Sequence, residues 1–218
     1  MEKSTRNDKG KAGGRGQWIV HLGMTGRLLV ASPPGEIPEH THAVLRLVSG
    51  RELWFVDPRR FGRLAVVRLG QDQSTAFAAP GSEPLDASID QFFALFRGRK
   101  TPIKSALLNQ KLLSGVGNIY ADEALFRAGV RPRRRAASLT RAEFVRLYQG
   151  LRKVLEEAIR LGGSSINDYV DADGQKGLFQ IKHRVYGREG KPCLVCGTAI
   201  QRVVIAGRSS HYCPKCQK

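Results

Sequence analysis

Apolar positions are sparse in residues 1–17 and then recur in short runs: Trp18-Ile-Val-His-Leu22, Arg27-Leu-Leu-Val30, Ala43-Val-Leu-Arg-Leu-Val48, Glu52-Leu-Trp-Phe-Val56 and Arg63-Leu-Ala-Val-Val67. Such runs, bounded by Gly, Pro or Asp, predict about five antiparallel strands. After a Pro-, Gly- and Ala-rich connection between Ala76 and Asp86 the period lengthens to that of a helix. Phe144, Leu147, Leu151, Val154, Leu155, Ala158 and Leu161 share one helical face, which ends at Gly162-Gly163. Ser88 with Gln91, and Thr140 with Glu143, have the spacing of capping boxes, and Pro102 stands where a helix start tolerates a missing N–H. Strands followed by helices, without alternation, predict an α+β chain rather than a doubly wound sheet. Five short strands leave an edge and a face uncovered, so they predict only a partial antiparallel β-sandwich. The expected organisation is a basic flexible tail over 1–17, the sandwich over 18–84, a helical domain over 85–183 and a distinct C-terminal segment over 184–218.

Charge narrows the choice of partner. The chain carries 36 Lys and Arg against 19 Asp and Glu, a formal charge of +17, which points to a polyanion and first of all to nucleic acid. A membrane is a poorer fit, because no run approaches the roughly 18 apolar residues of a spanning helix. Met1 to Gly16 is Lys-, Arg- and Gly-rich and lacks the apolar core of a secretory signal. A cytoplasmic, reducing setting is the expectation, with the chain acting as a monomer.

All four cysteines fall in the last 26 residues, as Cys193-x-x-Cys196 and Cys213-x-x-Cys216 separated by sixteen residues. That spacing predicts one tetrahedral thiolate zinc, structural because four thiolates leave no open position for water. A disulfide pair is the other reading, but neighbouring residues of a CxxC form strained bridges and nothing here suggests secretion. The residues between the pairs read as a β-hairpin turning at Gly207, too small to fold unaided. Zinc binding on the order of 10 kcal/mol replaces its missing core. Arg202, Arg208 and His211 are expected as exposed donors on this support.

Lys111-Leu-Leu-Ser-Gly-Val-Gly-Asn-Ile-Tyr-Ala-Asp-Glu123 joins two helices, with Gly115 and Gly117 permitting a tight turn and Asn118 expected as N-cap of the second. A helix start of this kind offers amides to a phosphate. It could equally be a plain connection. Gly115 to Glu123, together with His21-Leu-Gly-Met-Thr-Gly-Arg27, Asp57-Pro-Arg-Arg-Phe-Gly62, Val185-Tyr-Gly-Arg188 and the four cysteines, resembles the formamidopyrimidine-DNA glycosylase family of bacterial base-excision repair enzymes. The resemblance runs from about Trp18 to the C-terminus. It implies a helix-two-turn-helix domain with a lesion loop over 85–183, a zinc finger over 184–218, and double-stranded DNA with a damaged base or an abasic site as partner, in the bacterial cytoplasm at the nucleoid.

Members of that family evert a damaged purine and fill the space with a Met, an Arg and a Phe, which correspond to Met24, Arg59 and Phe61. A wedge of that composition suits a kinked duplex. Met24 and Phe61 could otherwise be core residues. The resemblance also implies DNA contacts by His40, Arg59, Arg99 and Lys104, a phosphate clamp of Asn118 and Arg208, help from Arg208 in the second elimination step, and a mobile loop over Asp168 to Phe179. The family's nucleophile is an N-terminal proline followed by glutamate, whereas this chain begins Met1-Glu2-Lys3-Ser4. The resemblance therefore implies an N-terminally truncated member, with Asn7 where the family has a strand lysine and Lys9 and Lys11 nearby. Excision of oxidised purines with strand cleavage needs an amine to attack the sugar and a carboxylate to manage protons. Three readings follow: a glycosylase/lyase, a catalytically inactive protein that binds damaged or abasic DNA, and a zinc-ribbon protein that binds RNA.

Overall fold

The computed structural model describes residues 16–33, 35–68, 81–164, 172 and 174–218 of the 218-residue chain. They fall into two compact units, one ending at Ala79 and the other beginning at Pro80.

The first unit holds five strands, β1 (Gly16–His21), β2 (Arg27–Ala31), β3 (Thr41–Arg46), β4 (Glu52–Val56) and β5 (Arg63–Arg68). They form two antiparallel sheets, β1 with β5 and β2-β4-β3 with β4 central. β1 opens at Gly16, two residues before the apolar run that announced it. Trp54, Phe55 and Val56 of the central strand are buried, as a strand flanked on both sides should be. Register decides where the loops go. His21 pairs with Arg63, Arg27 with Val56 and Thr41 with Val56. The connections 22–26 and 57–62, and the end of the connection that enters β3, therefore emerge together at one end of the unit.

The second unit is helical, with α1 (Ile89–Phe96), α2 (Ile103–Leu107), α3 (Asn118–Ala128) and α4 (Arg141–Arg160), and ends in the hairpin β6 (Gln201–Ile205) and β7 (Arg208–Tyr212). Both capping boxes form: the Ser88 and Thr140 hydroxyls accept the amides of Gln91 and Glu143, whose side chains return to the cap amides. The apolar face of α4 is buried at Phe144, Leu147, Leu151, Val154, Leu155 and Ala158. Phe144, Leu147, Leu151 and Leu155 pack with Phe92, Phe96, Leu113 and Leu125 in the main core, and Val154 and Ala158 with Phe179 in a second cluster. α3 is buried nearly all round, Asp122 and Glu123 included. The hairpin belongs to this same unit. Its end is stitched to the segment after α3 by bonds from Gln217 Nε2 to the Val130 carbonyl (2.8 Å) and from the Lys218 amide to the Gly129 carbonyl (2.9 Å). No helix among the described residues is long and apolar enough to cross a membrane.

Candidate nucleic-acid interface

At the loop end of the first unit Met24 and Phe61 are 61% and 51% exposed, so neither is a core residue. The Arg59 guanidinium lies 4.8 Å from the centre of the Phe61 ring, a cation–π contact that orders both side chains. What holds them is Asp57, which is fully buried. Its carboxylate accepts the Thr25 hydroxyl at 2.6 Å, the Gly62 amide at 2.7 Å and the Arg59 amide at 3.3 Å. Burial alone would push this carboxyl up, yet bonds from Thr25 and from the amides of Gly62, Arg59 and Phe61 bring it below its ordinary value. One side chain thus ties the loop of Met24 to the loop of Arg59 and Phe61. Its own backbone binds the third connection: the Asp57 amide donates to the His40 carbonyl (3.0 Å), and His42 Nε2 bonds the Asp57 carbonyl (2.9 Å). His40 and Arg60 adopt left-handed φ values of 65° and 56°, a conformation that costs a non-glycine residue energy and marks a loop held by its surroundings. Gly62 is required for space. A Cβ there would lie 2.5 Å from the Phe55 ring and 3.1 Å from the Asp57 carboxylate.

In the second unit α3 begins one residue earlier than expected, at Asn118 itself. Gly117 is the N-cap and makes no side-chain bond, so Asn118 is the first helical residue. The physical reason is that Gly117 is extended while Asn118 already has helical backbone; the Asn118 Oδ1 is buried without a partner. A Cβ at Gly115 or Gly117 would meet nothing within 4 Å, so the approach to the helix start is open.

Two further expectations need correction. His211 is not an exposed donor: it is 7% exposed, its amide donates to Asp122 Oδ2 at 2.8 Å and its Nδ1 lies 3.2 Å from the same oxygen. Lys104 is not an exposed DNA contact either. It is 1% exposed, its ammonium 2.6 Å from Asp122 Oδ1 and bonded to the Ser209 carbonyl at 2.6 Å. A buried ammonium must find an anion, and Asp122 is the one at hand. Burial lowers the Lys104 pKa while Asp122 opposes that shift and Arg208 adds to it. Arg202, Arg208 and Arg99 are exposed. The Arg202 guanidinium bonds the Ser209 hydroxyl (2.8 Å) across the hairpin, and Arg99 Nε donates to the Leu95 carbonyl at the end of α1 (2.6 Å). Arg208 follows a two-residue turn, Ala206 and Gly207, with φ of 46° and 76°, the signs a tight hairpin needs. Of the expected lesion loop, Asp168 to Phe179, residues 168–171 and 173 lie outside the described residues, while its end is anchored by a bridge from Leu178 to Ser164 and by the buried Phe179; Asn7, Lys9 and Lys11 also lie outside them.

Glu123, which no sequence signal assigned, is fully buried and accepts the amides of Arg184, Val185 and Tyr186 at 2.9–3.0 Å. Burial pushes its carboxyl up and those three amides oppose the shift. It anchors to α3 the chain that leads into the cysteines. The signal available was the pair Asp122-Glu123 inside an otherwise apolar helix.

The four cysteine sulfurs lie within 4.8 Å of one another, with Cys196 and Cys213 at 3.4 Å and Cys193 and Cys216 at 3.9 Å. A tetrahedral zinc with Zn–S of about 2.3 Å places sulfurs about 3.8 Å apart, and a disulfide about 2 Å. The Val195 and Cys216 amides point at the Cys193 and Cys213 sulfurs, as they do toward thiolates. The site fits one structural zinc, held by all four cysteines.

Basic charge, a saturated thiolate site and a glycine turn opening a helix belong together in proteins that grip a nucleic-acid backbone, and this chain is of that class. Residues 7–64 match the formamidopyrimidine-DNA glycosylase N-terminal domain, residues 80–170 the H2TH domain of the same enzymes, and residues 190–218 the zinc finger found in FPG and IleRS. A formamidopyrimidine-DNA glycosylase of Solibacter usitatus is 50% identical over 205 residues, covering 94% of this chain and 75% of that protein. The crystal structure of the MutM (Fpg) protein of Thermus thermophilus aligns with a TM-score of 0.83 at 48% identity, over 94% of this chain and 76% of that one. A Lactococcus lactis Fpg, solved with DNA containing an abasic site, aligns at 0.82 and 33% identity, over 93% and 75% of the two chains. The chain belongs to the formamidopyrimidine-DNA glycosylase family.

Proposed function

We propose that this protein is a base-excision-repair DNA glycosylase that acts in the bacterial cytoplasm, at the nucleoid, on duplex DNA carrying an oxidised purine or an abasic site. The observation that carries the reading is the Met24, Arg59 and Phe61 cluster, exposed and yet fixed through Asp57. Exposed apolar side chains on a strained, pinned loop suit insertion into a base stack better than they suit solvent. His40, from the third connection at that end, and Arg99, in the helical unit, contribute further DNA contacts. Asn118 and Arg208 form the phosphate clamp. Asn118, the first residue of α3, stands beside the amides that open the helix. Arg208 also assists the elimination step. The everted base is removed when an amine attacks the sugar and forms an imine, with a carboxylate moving the proton; no described residue is assigned to those two roles.

The relatives are named as glycosylases, which favours this reading over an inactive damage-binding protein. Borohydride reduction of the protein on an abasic-site or 8-oxoguanine duplex tests it, with mass spectrometry to locate the linked amine. A covalent adduct is expected. Selective binding without any adduct would make the chain a damage-binding protein instead.

A further inference from the structure

Asn118 and Asp122 are four residues apart on α3 and so share one face of the helix. Asp122 uses both carboxylate oxygens at once. Oδ2 takes the His211 amide at 2.8 Å, and Oδ1 holds the Lys104 ammonium at 2.6 Å, which in turn donates to the Ser209 carbonyl at 2.6 Å. Two backbone groups of β7, at positions 209 and 211, are therefore fixed against the Asn118 face of α3. Arg208 is the residue immediately before them. The zinc ligands Cys213 and Cys216 lie beyond them, at the other end of the hairpin, and the turn itself is free of any tie to the helix among the described residues.

We propose that Asp122 is a positioning residue: through Lys104 and β7 it sets Arg208 opposite the start of α3, so that Asn118 and Arg208 can grip one phosphate together. The zinc closes the hairpin, and the Asp122 network aims it. The two jobs are separable because the metal is bonded to residues 193, 196, 213 and 216 only, while the aim depends on bonds at 209 and 211. The Arg202 bond to the Ser209 hydroxyl braces the same strand from its partner and cannot replace the tie to α3. Removing Asp122 leaves a hairpin that still holds zinc and whose Arg208 no longer has a fixed place.

This inference rests on the reading of Arg208 and Asn118 as phosphate ligands, and one experiment separates the two. Affinity for an abasic-site duplex is measured across salt concentrations for the full chain, Arg208→Ala, Asp122→Ala and the double variant, with zinc content and thermal unfolding recorded for each. Removing the neutralisation of one phosphate should flatten the log-log slope by about 0.9. Arg208→Ala and Asp122→Ala should each flatten it by that amount, and the double variant by no more than either alone, with zinc retained throughout. If Arg208→Ala leaves the slope unchanged, the clamp itself is wrong. If Arg208→Ala flattens the slope while Asp122→Ala only lowers the unfolding temperature, or if the two effects add, Asp122 merely stabilises the fold and the inference fails. Should Asp122→Ala not fold, Lys104→Met, which cuts the tie to Ser209 and keeps the bond to His211, enters the same cycle and is judged by the same outcomes.

Discussion

Replacing Asp57 by asparagine tests whether one buried carboxylate holds the wedge. Asp57 Oδ1 accepts from Thr25 and Arg59, and Oδ2 from Gly62. Asparagine keeps a single acceptor oxygen. In one orientation its NH2 faces the Gly62 amide, in the other the Thr25 hydroxyl and Arg59 amide, and donor meets donor either way. Hydrogen bonds to a charged group contribute about 1.5–3 kcal/mol each, and a buried group left unsatisfied costs a similar amount, so the loss should be roughly 2–4 kcal/mol. The chain has two tryptophans, Trp18 and Trp54, both in the first unit. Their fluorescence therefore follows that unit alone. With a urea dependence of about 1–3 kcal/mol per molar, the midpoint of Asp57→Asn should fall by about 0.7–4 M. The pH dependence has a definite sign. The folded carboxyl titrates below its ordinary value of 3.8, so its contribution is present above that pH and is lost as pH falls through the folded value. The gap between the parent protein and Asp57→Asn should close under acid. Superimposable urea curves at neutral pH would refute the role given to Asp57. The same variant should lose its preference for abasic over intact duplex, since both wedge loops are released together.

Four other perturbations separate the parts. Glu123→Ala strands the amides of Arg184, Val185 and Tyr186, of which that of Val185 is buried, and should cost roughly 2–4 kcal/mol, seen as faster proteolytic cleavage near residues 184–190 with zinc still bound. Gly62→Ala puts a Cβ 2.5 Å from the Phe55 ring and should destabilise the first unit by about 1–3 kcal/mol, read from the same tryptophan signal. Glu143, held at about 2 mainly by its hydrogen bond with Arg134, stabilises the start of α4 fully above pH 4.5 and loses that effect as pH falls toward 2. Glu143→Gln should therefore shift helical circular dichroism at neutral pH and not at pH 2. Zinc removal by a chelator should unfold the hairpin and abolish duplex binding; binding that survives verified zinc loss would remove the hairpin from the interface.

Sequence made the repeating parts visible. The five strands and the buried face of α4 follow from periods of two and 3.6, and the cysteines from spacing that only a metal explains. The misplacements of His211 and Lys104 have different causes. A polar residue in a short hairpin reads as exposed until a partner is known, whereas Lys104 is assigned by resemblance, which says nothing of burial. Their partner is Asp122, 89 residues before His211. The shift of the α3 cap from Asn118 to Gly117 is of a smaller kind. Asparagine is the better cap by preference, but the chain is already extended at Gly117 after the left-handed turn at Gly115 (φ 70°), so the helix starts at the next residue.

Asp57, Asp122 and Glu123 form one strategy when set beside the charge of the chain. Each is at most 1% exposed, and each binds donors 32, 89 and 62 residues away respectively. An ionised carboxylate has only acceptors, so it can join two or three segments whose backbone offers N–H groups, which no aliphatic side chain can do. Only 19 acids stand against 36 cations, and three of those acids work in the interior. The outer surface is therefore more basic than the sequence total suggests, which suits a polyanionic partner. Two kinds of acid should then behave oppositely when neutralised. Removing an exposed one, such as Glu39 or Asp90, strengthens duplex binding slightly, and the gain disappears at high salt. Removing Asp57 or Glu123 weakens binding at every salt concentration, because geometry rather than charge has been disrupted. If the interior and exposed substitutions gave the same salt profile, these carboxylates would be acting through their charge, and the anchoring role assigned to them would be wrong.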